Sequence, residues 1–478
     1  MSIITPIVGG EAVVPLGALG RGHRTVRVRA RKGAFAGPAV ETDLYLPEWV
    51  LPDATAGDDC RRWLSYREPA GAGSGGVIST PDVTLTHPRA STRARRNPAG
   101  VFEMLLADVI APDHDTAGTP LGVRLERLVT YERINNLLSG AVAGSPGTPP
   151  TGHSATAQAG LTRTITIGSI GGIPTIAYRY VGAPASNVQI LLQMLPTATV
   201  AAAPGQVWTM GAYVAASGTG LPGLGLGLWE TDAGGVLLRG TDQAIALPAA
   251  WARRSRTVTC GASTTHVRML LGSGIIVAGT PCDFEITFGG ATLTRTSYLP
   301  SEYLVGTSAL TRAPDAANAA LGSWFDHSRG TLLAEWAIPS PDPTAPAPGL
   351  VTISDGTPSN RIGLYHRTAD ATSRLVVTSG GVPQADPNWA APPVYTYGAV
   401  RRSAVAWATD DVQGCVDGLL SLIDTGSNAI PAGLTRLDLG VLVGGNYLDG
   451  WLRRWFYVPR RMSGADMQAA HAWLAANP

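Results

Sequence analysis

The stretch that decides the fold is Gly444–Pro478, with the sequence GGNYLDGWLRRWFYVPRRMSGADMQAAHAWLAANP. After a glycine-rich turn, the apolar and aromatic run Trp451–Val458 predicts a strand, which Pro459 ends. Ser463 and Asp466 have the spacing of a capping box, which predicts the start of a helix. The apolar spacing predicts that one face of this helix is formed by Met467, Ala470, His471 and Leu474. We therefore expect the chain to close with a sheet strand and a helix that packs on the sheet.

The composition of the whole chain is typical of many short strands. The 478 residues include 58 glycines and 36 prolines, so long helices are not expected. Because 45% of the residues are hydrophobic, the chain can form a core and is not expected to be disordered. The net charge of +1 provides no overall field for nucleic acid or an anionic membrane, so neither is an expected partner.

The cysteines and the apolar runs bear on the compartment. Cys60, Cys260, Cys282 and Cys415 form no CxxC pair, so a zinc site is not expected. Reduced, packed thiols are the favoured interpretation, although Cys260 and Cys282 could meet on neighbouring strands. No secretory signal pattern and no apolar run of about 18 residues is present, so we expect no membrane insertion. We expect the protein to be made in the cytoplasm and to stay there, or to leave it as part of something assembled there.

The first predicted segment, residues 1–130, is expected to be a β-rich anchoring domain, with the anchoring role inferred from its position. Strands are predicted at His23–Ala30, Val40–Val50, Val101–Ile110 and Val123–Tyr131.

Two polar groups in this segment could carry chemistry. The basic cluster Arg89, Arg93, Arg95 and Arg96 could contact nucleic acid or an acidic partner, but a solvated loop is favoured because no aromatic residue is interleaved for base stacking. Asp113-His114-Asp115 could hold a metal or act as an acid/base pair, and a surface loop is favoured there as well.

The second predicted segment, residues 131–304, is expected to be a two-sheet jelly roll, because short strands recur at regular spacing. The repeated glycines of Gly223–Gly227 (GLGLG) lack the context of a phosphate-binding loop, and we interpret them as a flat strand against a close neighbour. Strands are predicted at Thr162–Ile170, Ile176–Val181, Gln189–Leu195, Val207–Ala215, Gly225–Glu230, Arg254–Cys260, Thr265–Leu271 and Cys282–Phe288.

The third predicted segment, residues 305–478, is expected to be a β-sandwich that ends in the closing strand and helix. A tight hairpin is predicted around Asp410-Asp411. Strands are predicted at Gly330–Ile338, Gly349–Ser354, Asn360–Arg367, Arg374–Ser379, Ser403–Thr409, Gly414–Asp417, Thr435–Val443 and Trp451–Val458.

Four motifs, in this order, resemble tail and receptor-binding proteins of bacteriophages. They are the opening Arg133–Leu138 (RINNLL), the strand Gly205–Val214 (GQVWTMGAYV), and the closing pair Thr296–Pro300 (TSYLP) and Leu310–Asp315 (LTRAPD). Proteins of that family carry a jelly roll of the carbohydrate-binding-module type. This chain departs from their pattern by an extra Asn in the opening and by Gly211 in place of the usual Ser.

The end of the chain is also similar to concanavalin A-like (LamG-type) lectin domains. Gly445–Ala469 resembles their closing pattern G-x-x-x-x-G-x-I-R-R-x-x-Y-x-x-R-x-L-S-x-A-E-L-Q, and the hairpin near Asp410 resembles one of theirs. Together the resemblances cover about residues 130–478. They imply an all-β chain in which a jelly roll precedes a concanavalin A-like sandwich.

The resemblance implies a virion surface appendage, such as a tail fibre, minor tail protein or head spike. Such a protein would attach to other virion proteins by its N-terminal segment and bind a host cell-surface polysaccharide non-covalently. By analogy it would be a homo-oligomer, with a trimer favoured. A purely structural particle protein without a ligand is an open alternative.

Sugar binding needs exposed aromatic rings and polar groups that bond hydroxyls. The loops of the third segment have this composition, and Tyr213 of the jelly roll is a further candidate. The candidate carbohydrate-binding residues are Trp389, Tyr395, Tyr397, Tyr365, Arg367, Asn446, Tyr447, Asp449 and Tyr213. No cofactor is required, although a structural calcium ion could use oxygens of Asp355, Asn360, Asp410 and Asp449.

The rival class is an enzyme, a polysaccharide depolymerase or endo-glycosidase. Retaining glycosidases need two carboxyl groups about 5–5.5 Å apart, which often arise from acidic residues at alternate positions of a strand. Here Asp410 and Asp411 are adjacent in a turn, Glu335 stands alone, and Glu230 ends its strand. We therefore expect a protein that is not an enzyme.

Overall fold

The computed structural model describes strands between residues 22 and 85 by their backbone, and residues 86–476 apart from 88, 111, 136, 196–199, 233, 235, 303–305, 307, 316, 343–344, 386–392 and 427–428. The regular structure of these residues is almost entirely β, which confirms the predicted fold class, and the one helix among them is at the C-terminal end. No helix in this part of the chain is long and apolar enough to cross a membrane.

The strands of the first 134 residues are short, and several pair as antiparallel hairpins, including Gly22–Val28 with Val40–Leu46 and Arg93–Arg96 with Phe102–Leu105. The run predicted as one strand at Val123–Tyr131 is two. The strands are β1 Gly22–Val28, β2 Arg31–Lys32, β3 Phe35–Ala36, β4 Val40–Leu46, β5 Trp63–Ser65, β6 Ile78–Thr80, β7 Val83–Leu85, β8 Arg93–Arg96, β9 Phe102–Leu105, β10 Pro112–His114, β11 Pro120–Leu125 and β12 Val129–Ile134.

The strands of the middle of the chain are longer. They are β13 Leu161–Ile170, β14 Ile173–Gly182, β15 Val188–Gln193, β16 Val200–Ala201, β17 Val207–Thr219, β18 Leu224–Thr231, β19 Leu237–Ile245, β20 Ala249–Thr259, β21 His266–Ile276 and β22 Cys282–Thr294. All eight strands predicted in this segment are present, and β16 and β19 are additional.

The remaining elements follow the predicted order closely. They are β23 Leu310–Arg312, β24 Ala317–Ala320, β25 Gly330–Ala337, β26 Gly349–Ser354, β27 Arg361–Arg367, β28 Thr372–Ser379, β29 Val382–Ala385, β30 Arg401–Ala408, β31 Asp411–Val416, β32 Leu419–Leu420, β33 Arg436–Leu439, β34 Val441–Leu442, β35 Asn446–Tyr447, β36 Gly450–Val458 and α1 Gly464–Ala476. The predicted hairpin joins β30 to β31, with Ala408 opposite Asp411.

Two sheets form the jelly roll. One contains β13, β14, β22, β12 and β23 in this order, with β17 and then β20 added beside β22, and the other contains β15, β21, β18 and β19, with β16 beside β21. Along β17, Trp208, Met210, Ala212 and Val214 all point into the core between these sheets, as the alternation of the sequence predicts. Cys260 and Cys282 are buried in this core as free thiols, as expected. Cys415 is also a buried free thiol, but it lies in the third segment.

Two further sheets form the third segment's sandwich. The first contains β10, β11, β36, β25, β30, β31 and β32, with β5 also beside β36, and the second contains β24, β33, β26, β27, β28 and β29. Trp336, Trp407, Trp455 and Tyr457 lie in the core between them. On the outer side of the first sheet, α1 buries Met467, Ala470, His471 and Leu474, which confirms the predicted helical face.

The sheets cross the predicted boundary at residue 130. Val123 and Leu125 of β11 lie opposite Leu452 and Gly450 of β36 and belong to the core of the sandwich, whereas β12 pairs with the jelly-roll strand β22. The first segment therefore contributes strands to both of the later ones. The three-domain division and the anchoring role of residues 1–130 stay predictions.

A buried ionic cluster occupies the place where the three segments meet. Asp315 contacts Arg89 at 3.0 Å, Arg312 at 2.9 Å and Arg93 at 3.5 Å, and all four side chains are at most 2% exposed. Glu126 contacts Arg312 at 3.3 Å. We call these five residues, with Arg124 at 2.9 Å from Glu126, the junction cluster.

The junction cluster corrects one expectation from the sequence. The solvated-loop interpretation of the basic cluster is wrong for Arg89, Arg93 and Arg95, since all three are buried. Arg95 donates to Glu103 at 2.7 Å, within the β8–β9 hairpin.

The surface-loop interpretation of Asp113 and His114 is also wrong. Both are buried on β10: Asp113 accepts hydrogen bonds from the Arg96 amide at 2.8 Å and the Trp451 indole at 3.0 Å, and His114 Nδ1 lies 3.0 Å from the Arg96 carbonyl oxygen. These residues join the first segment to the closing strand and are not arranged as a metal or acid/base site.

Candidate functional site

Two aromatic residues predicted to bind sugar are buried in the protein. The Tyr395 ring is 3% exposed and lies 4.8 Å from Trp336, and its hydroxyl accepts from the Ile338 amide at 2.8 Å and donates to the Ala399 carbonyl at 2.7 Å. Burial raises the pKa of Tyr395 to about 12. With both faces enclosed, this ring fills the sandwich core and has no surface for a sugar.

Tyr213 is likewise buried, in contrast to the exposed position that sugar binding requires. Its hydroxyl donates to Glu302 at 2.6 Å and accepts from Arg96 at 3.2 Å, and its ring stacks on Trp251 and meets Phe102 edge-on. Tyr213 therefore connects the β8–β9 hairpin to the jelly roll.

Two pairs of residues predicted to bind sugar, Tyr395 with Tyr397 and Tyr365 with Arg367, come together around His366. Its ring lies 5.3 Å from that of Tyr395 and 5.7 Å from that of Tyr397, and its Nε2 is 3.2 Å from the Tyr397 hydroxyl. Tyr365 and Arg367 flank it on β27 and are partly exposed, as is Tyr397. Arg367 is already paired with Asp370 at 2.9 Å. These partly exposed groups stay candidates for a polar surface of the sandwich.

The last predicted group, Asn446, Tyr447 and Asp449, lies partly at the surface and partly in the interior. Asn446 and Tyr447 on β35 are partly exposed, whereas Asp449 is buried against Arg127 at 3.1 Å. Trp389 lies outside the described residues. Of the four candidate calcium ligands, Asp355 accepts from the Asn360 amide at 2.8 Å, and Asp449 is occupied by Arg127. Within the described residues, no three His, Cys, Asp or Glu side chains are grouped to hold a metal ion.

The outer face of a jelly-roll sheet carries an aromatic site that the sequence interpretation missed. Along β18, Leu224, Leu226 and Leu228 point into the core, so Trp229 points outward. In the sheet it lies between Gly240 of β19 and Arg268 of β21. Trp229 and Arg268 are both partly exposed, and the Arg268 guanidinium carbon is 4.9 Å from the ring centroid.

A carboxylate completes this group. The Trp229 indole N–H donates to Asp242 Oδ1 at 3.1 Å, and Asp242 is exposed. Among the described residues, the Arg268 guanidinium has no ion-pair partner. We call Trp229, Asp242 and Arg268 the tryptophan platform. It combines an apolar ring with a hydrogen-bond acceptor and a donor, which is the set that recognises a sugar hydroxyl pattern.

Two glycines seat the tryptophan platform on the sheet. A Cβ at Gly227 would lie 2.3 Å from Asp242 Oδ1 and 3.0 Å from Trp229 Nε1, and a Cβ at Gly240 would lie 3.3 Å from the same nitrogen. A side chain at Gly227 would collide with the Asp242 carboxylate, and one at Gly240 would crowd the indole, so the two glycines let the indole lie low on the strands and reach Asp242. The close neighbour of Gly225 and Gly227 in the Gly223–Gly227 stretch is Asp242, with the Trp229 indole next to Gly227.

The signal for this site was in the sequence. Gly223, Gly225, Gly227 and Trp229 share the parity that places residues on one face of a strand. Asp242 and Arg268 come from other strands, at separations that only the sheet register reveals.

The carboxylates considered for an enzyme are engaged within the protein. Glu335 is fully buried and contacts Arg402, Arg453 and Arg454 at 2.8–3.5 Å. Glu230 accepts from the Gly261 amide at 2.8 Å and is bonded to Arg239 as well.

A concavity of about 370 Å³ beside β13 and β14 is a weaker candidate. Arg163 there donates to the carbonyls of Ala155 and Gly147 at 3.2 Å, and the Tyr180 hydroxyl donates to Thr156 O at 2.8 Å. The polar groups of this cavity are thus used internally. It is lined by Pro146, Ala157, Gln158, Ala159, Leu161, Arg163 and Tyr180.

Comparison with known proteins gives only distant similarity. No family model and no curated protein matches the chain. Among solved structures, it is similar to the CBM40 of a Ruminococcus gnavus IT-sialidase, with 14% identity over 30% of this chain and 84% of that one and a TM-score of 0.26. It is similar to Trypanosoma rangeli sialidase with 10% identity, over 95% of this chain and 77% of that one, at a TM-score of 0.25.

A third similarity is to the tandem CBM22 domains of Paenibacillus barcinonensis Xyn10C, with 9% identity over 71% of this chain and 98% of that one and a TM-score of 0.22. None of these three is a phage protein. TM-scores this low carry no weight for function, which is therefore argued from the residues of this chain.

Proposed function

We propose that this chain is a non-enzymatic glycan-binding protein that stands on the surface of a phage or phage-like particle, as a tail fibre, minor tail protein or head spike. The tryptophan platform is the observation that supports glycan binding most directly. A sugar ring can pack on the indole while its hydroxyls bond Asp242 and Arg268. Since the charges of these two residues balance, the platform suits neutral sugars as well as acidic ones.

The particle half of the proposal is supported by the motifs, which occur in the order that phage receptor-binding proteins have. The two closing motifs meet at the junction of the segments: Arg312 and Asp315 are in the junction cluster, and the Tyr298 ring lies 4.4 Å from the guanidinium carbon of Arg127. In this proposal the first segment attaches to other virion proteins, the assembly is a trimer, and the binding surface faces the host.

A polysaccharide and oligosaccharide array probed with the full chain tests the binding half. Trp229→Ala is expected to weaken binding at least tenfold, about 1.4 kcal/mol, and Trp229→Phe to weaken it less. Tyr447→Ala, on the sandwich, is the matched control and is expected to bind normally. If Tyr447→Ala loses binding and Trp229→Ala does not, the site is on the sandwich. If the wild-type protein binds no glycan on the array, the binding function is rejected in favour of a purely structural role.

Antibody labelling of intact particles in the electron microscope tests the particle half. Labels at the tail or on the head support the proposal, and absence of the chain from purified particles overturns it. A mass measurement in solution and on particles tests the trimer, which a stable monomer would reject. Release of new reducing ends from any bound polysaccharide would replace the binding function with the depolymerase alternative.

A further inference from the structure

One side of the jelly roll is formed by the edge strands of its two sheets. β19 is the last strand of one sheet, and β20 is the last strand beside β17 in the other. Arg239 of β19 joins these edges at one end, since it donates to Glu230 and, at 2.6 Å, to the Thr259 carbonyl of β20. Side chains on the inner faces of the two strands therefore lie at the margin of the core.

Two arginines occupy the inner face of β20 at this margin. Arg254 is opposite Ala212 and Arg256 is opposite Met210 in the sheet, and both of these partners are fully buried in the core. Directly opposed residues of paired strands share a face, so the arginines extend from the core side of β20 and are partly exposed. Their Cα atoms are about 7 Å apart along the strand, at roughly 3.4 Å per residue.

An amide side chain faces the same margin from β19. Gln243 is opposite Leu226, which is buried in the core, so Gln243 belongs to the inner face of its strand, and it is exposed. We call Arg254, Arg256 and Gln243 the arginine rim. It provides two planar groups of hydrogen-bond donors and an amide that both donates and accepts.

The positive charge of the arginine rim is not balanced by an acid of the protein. Within the described residues, neither rim guanidinium has an ion-pair partner, and the Nε of each is shielded from solvent without a hydrogen-bond acceptor. Arg253, between them on the strand's other face, is paired with Glu302 at 3.4 Å. On the inner face of β18, Glu230 is already bonded to Arg239.

This arrangement is unfavourable in the free protein. Two like charges on one face of a strand repel each other, and donors that are shielded from water lose hydrogen bonds that they would make in the unfolded chain. An anion relieves both costs, because a guanidinium group donates two parallel hydrogen bonds to a carboxylate, sulfate or phosphate.

We infer that the arginine rim is a second binding site, which takes the anionic groups of an acidic polysaccharide. The anionic oxygens pair with Arg254 and Arg256, and Gln243 bonds a neighbouring hydroxyl. Asp242 of the tryptophan platform is on the outer face of β19, so the two sites lie on opposite faces of one edge strand. The inference rests on the proposed glycan binding and adds the chemical class of the ligand.

The test measures equilibrium binding of the full chain to alginate oligosaccharides and dextran sulfate, with neutral xylan and dextran as counterparts. Arg256→Gln is expected to weaken binding of an acidic polymer about tenfold, because hydrogen bonds to a charged group are lost. Arg256→Lys, which keeps the charge without the planar fork, should lose less. Binding of a neutral polymer through Trp229 should not change in either variant.

Arg295→Gln is the matched control. Arg295 is an exposed arginine directly after β22, and its loss changes the net charge by the same amount as Arg256→Gln. Affinity for the acidic polymer should stay at the wild-type value in Arg295→Gln. Circular dichroism of each variant verifies that it folds.

The outcomes separate this inference from the proposed function. Wild-type protein that binds a neutral polymer through Trp229 and neither acidic one overturns the arginine rim and keeps the tryptophan platform. Equal weakening in Arg256→Gln and Arg295→Gln would show that acidic polymers respond to net charge alone, and the inference would be wrong. Failure to bind any of the four polymers or any glycan on the array rejects both.

Discussion

Replacing Asp315 with Asn should be the most destabilising conservative change in the junction cluster. The carboxylate is fully buried and faces Arg89, Arg93 and Arg312, while the cluster's other acid, Glu126, faces Arg124 and Arg312. The wild type thus has two carboxylates for four guanidinium groups, and the variant would have one. Breaking a buried ion pair by removing one partner costs about 3–5 kcal/mol, because the other charge stays desolvated.

Because the Asp315 carboxylate contacts three arginines, and also His87 at 3.3 Å, we expect a loss of at least this size in the free energy of unfolding. Urea unfolding of the full chain, followed by circular dichroism and tryptophan fluorescence, measures it, with the slope examined for separate transitions. Asp283→Asn is the matched control. It removes an exposed pair with Arg179, both about half exposed, and should leave the midpoint unchanged.

Arg93→Gln should be intermediate, because its contact with Asp315 is the longest of the three at 3.5 Å. A loss below about 1 kcal/mol in Asp315→Asn, the range of exposed ion pairs, would refute the reasoning. It would mean that the cluster is hydrated, or that the segments separate without a cost in stability.

Three further predictions concern pH, the helix and the thiols. Burial raises the pKa of Asp449 to about 6 despite Arg127, so its contribution to stability is present below its ordinary pKa and is lost as the pH rises through 6. Asp449→Asn should therefore gain stability relative to wild type between pH 4 and 7 in urea titrations. A difference in unfolding free energy between the two proteins that does not change with pH would contradict this. The Ser463 hydroxyl accepts from the Asp466 amide at 3.1 Å, and the Asp466 carboxylate accepts from the Ser463 amide at 3.3 Å. Ser463→Ala should therefore lower the free energy of unfolding by about 1 kcal/mol, measured by thermal unfolding. Ser328→Ala, at an exposed serine outside any helix, should lower it less. Burial raises the pKa of Cys415 to about 12 and that of Cys260 to about 11, so alkylation followed by peptide mass mapping should label both only after unfolding, and labelling of the native protein would show that these cores open.

Local patterns in the sequence predicted the elements well. The closing strand, the capped helix and its buried face depend on residues within a few turns of each other, and β17 shows the predicted alternation from Trp208 to Val214. The strand over Val123–Tyr131 was predicted as one and is two, because residues 126–128 leave one sheet and enter another. The spacing of apolar residues along the sequence does not indicate where the chain passes from one sheet to another.

The side-chain environments could not be predicted from local patterns. Arg89 and Arg93 look like a solvated cluster because their partner, Asp315, is more than 220 residues away. Tyr213 and Tyr395 have the composition of a binding surface, but distant segments cover them. Trp229 was missed because Asp242 and Arg268 join it only through the register of three strands.

The pairing of β11 with β36 has a consequence for how the chain is made. The whole jelly roll lies between these two strands in the sequence, so the sandwich sheet joins residues more than 300 positions apart. A sheet with such distant partners forms slowly, because a long loop must close first. During synthesis the edge of β11 that pairs with β36 stays open until Gly450–Leu452 have emerged. A fragment that starts at residue 305 lacks this strand, so Gly450–Leu452 would present unpaired backbone groups, which favour association with other chains.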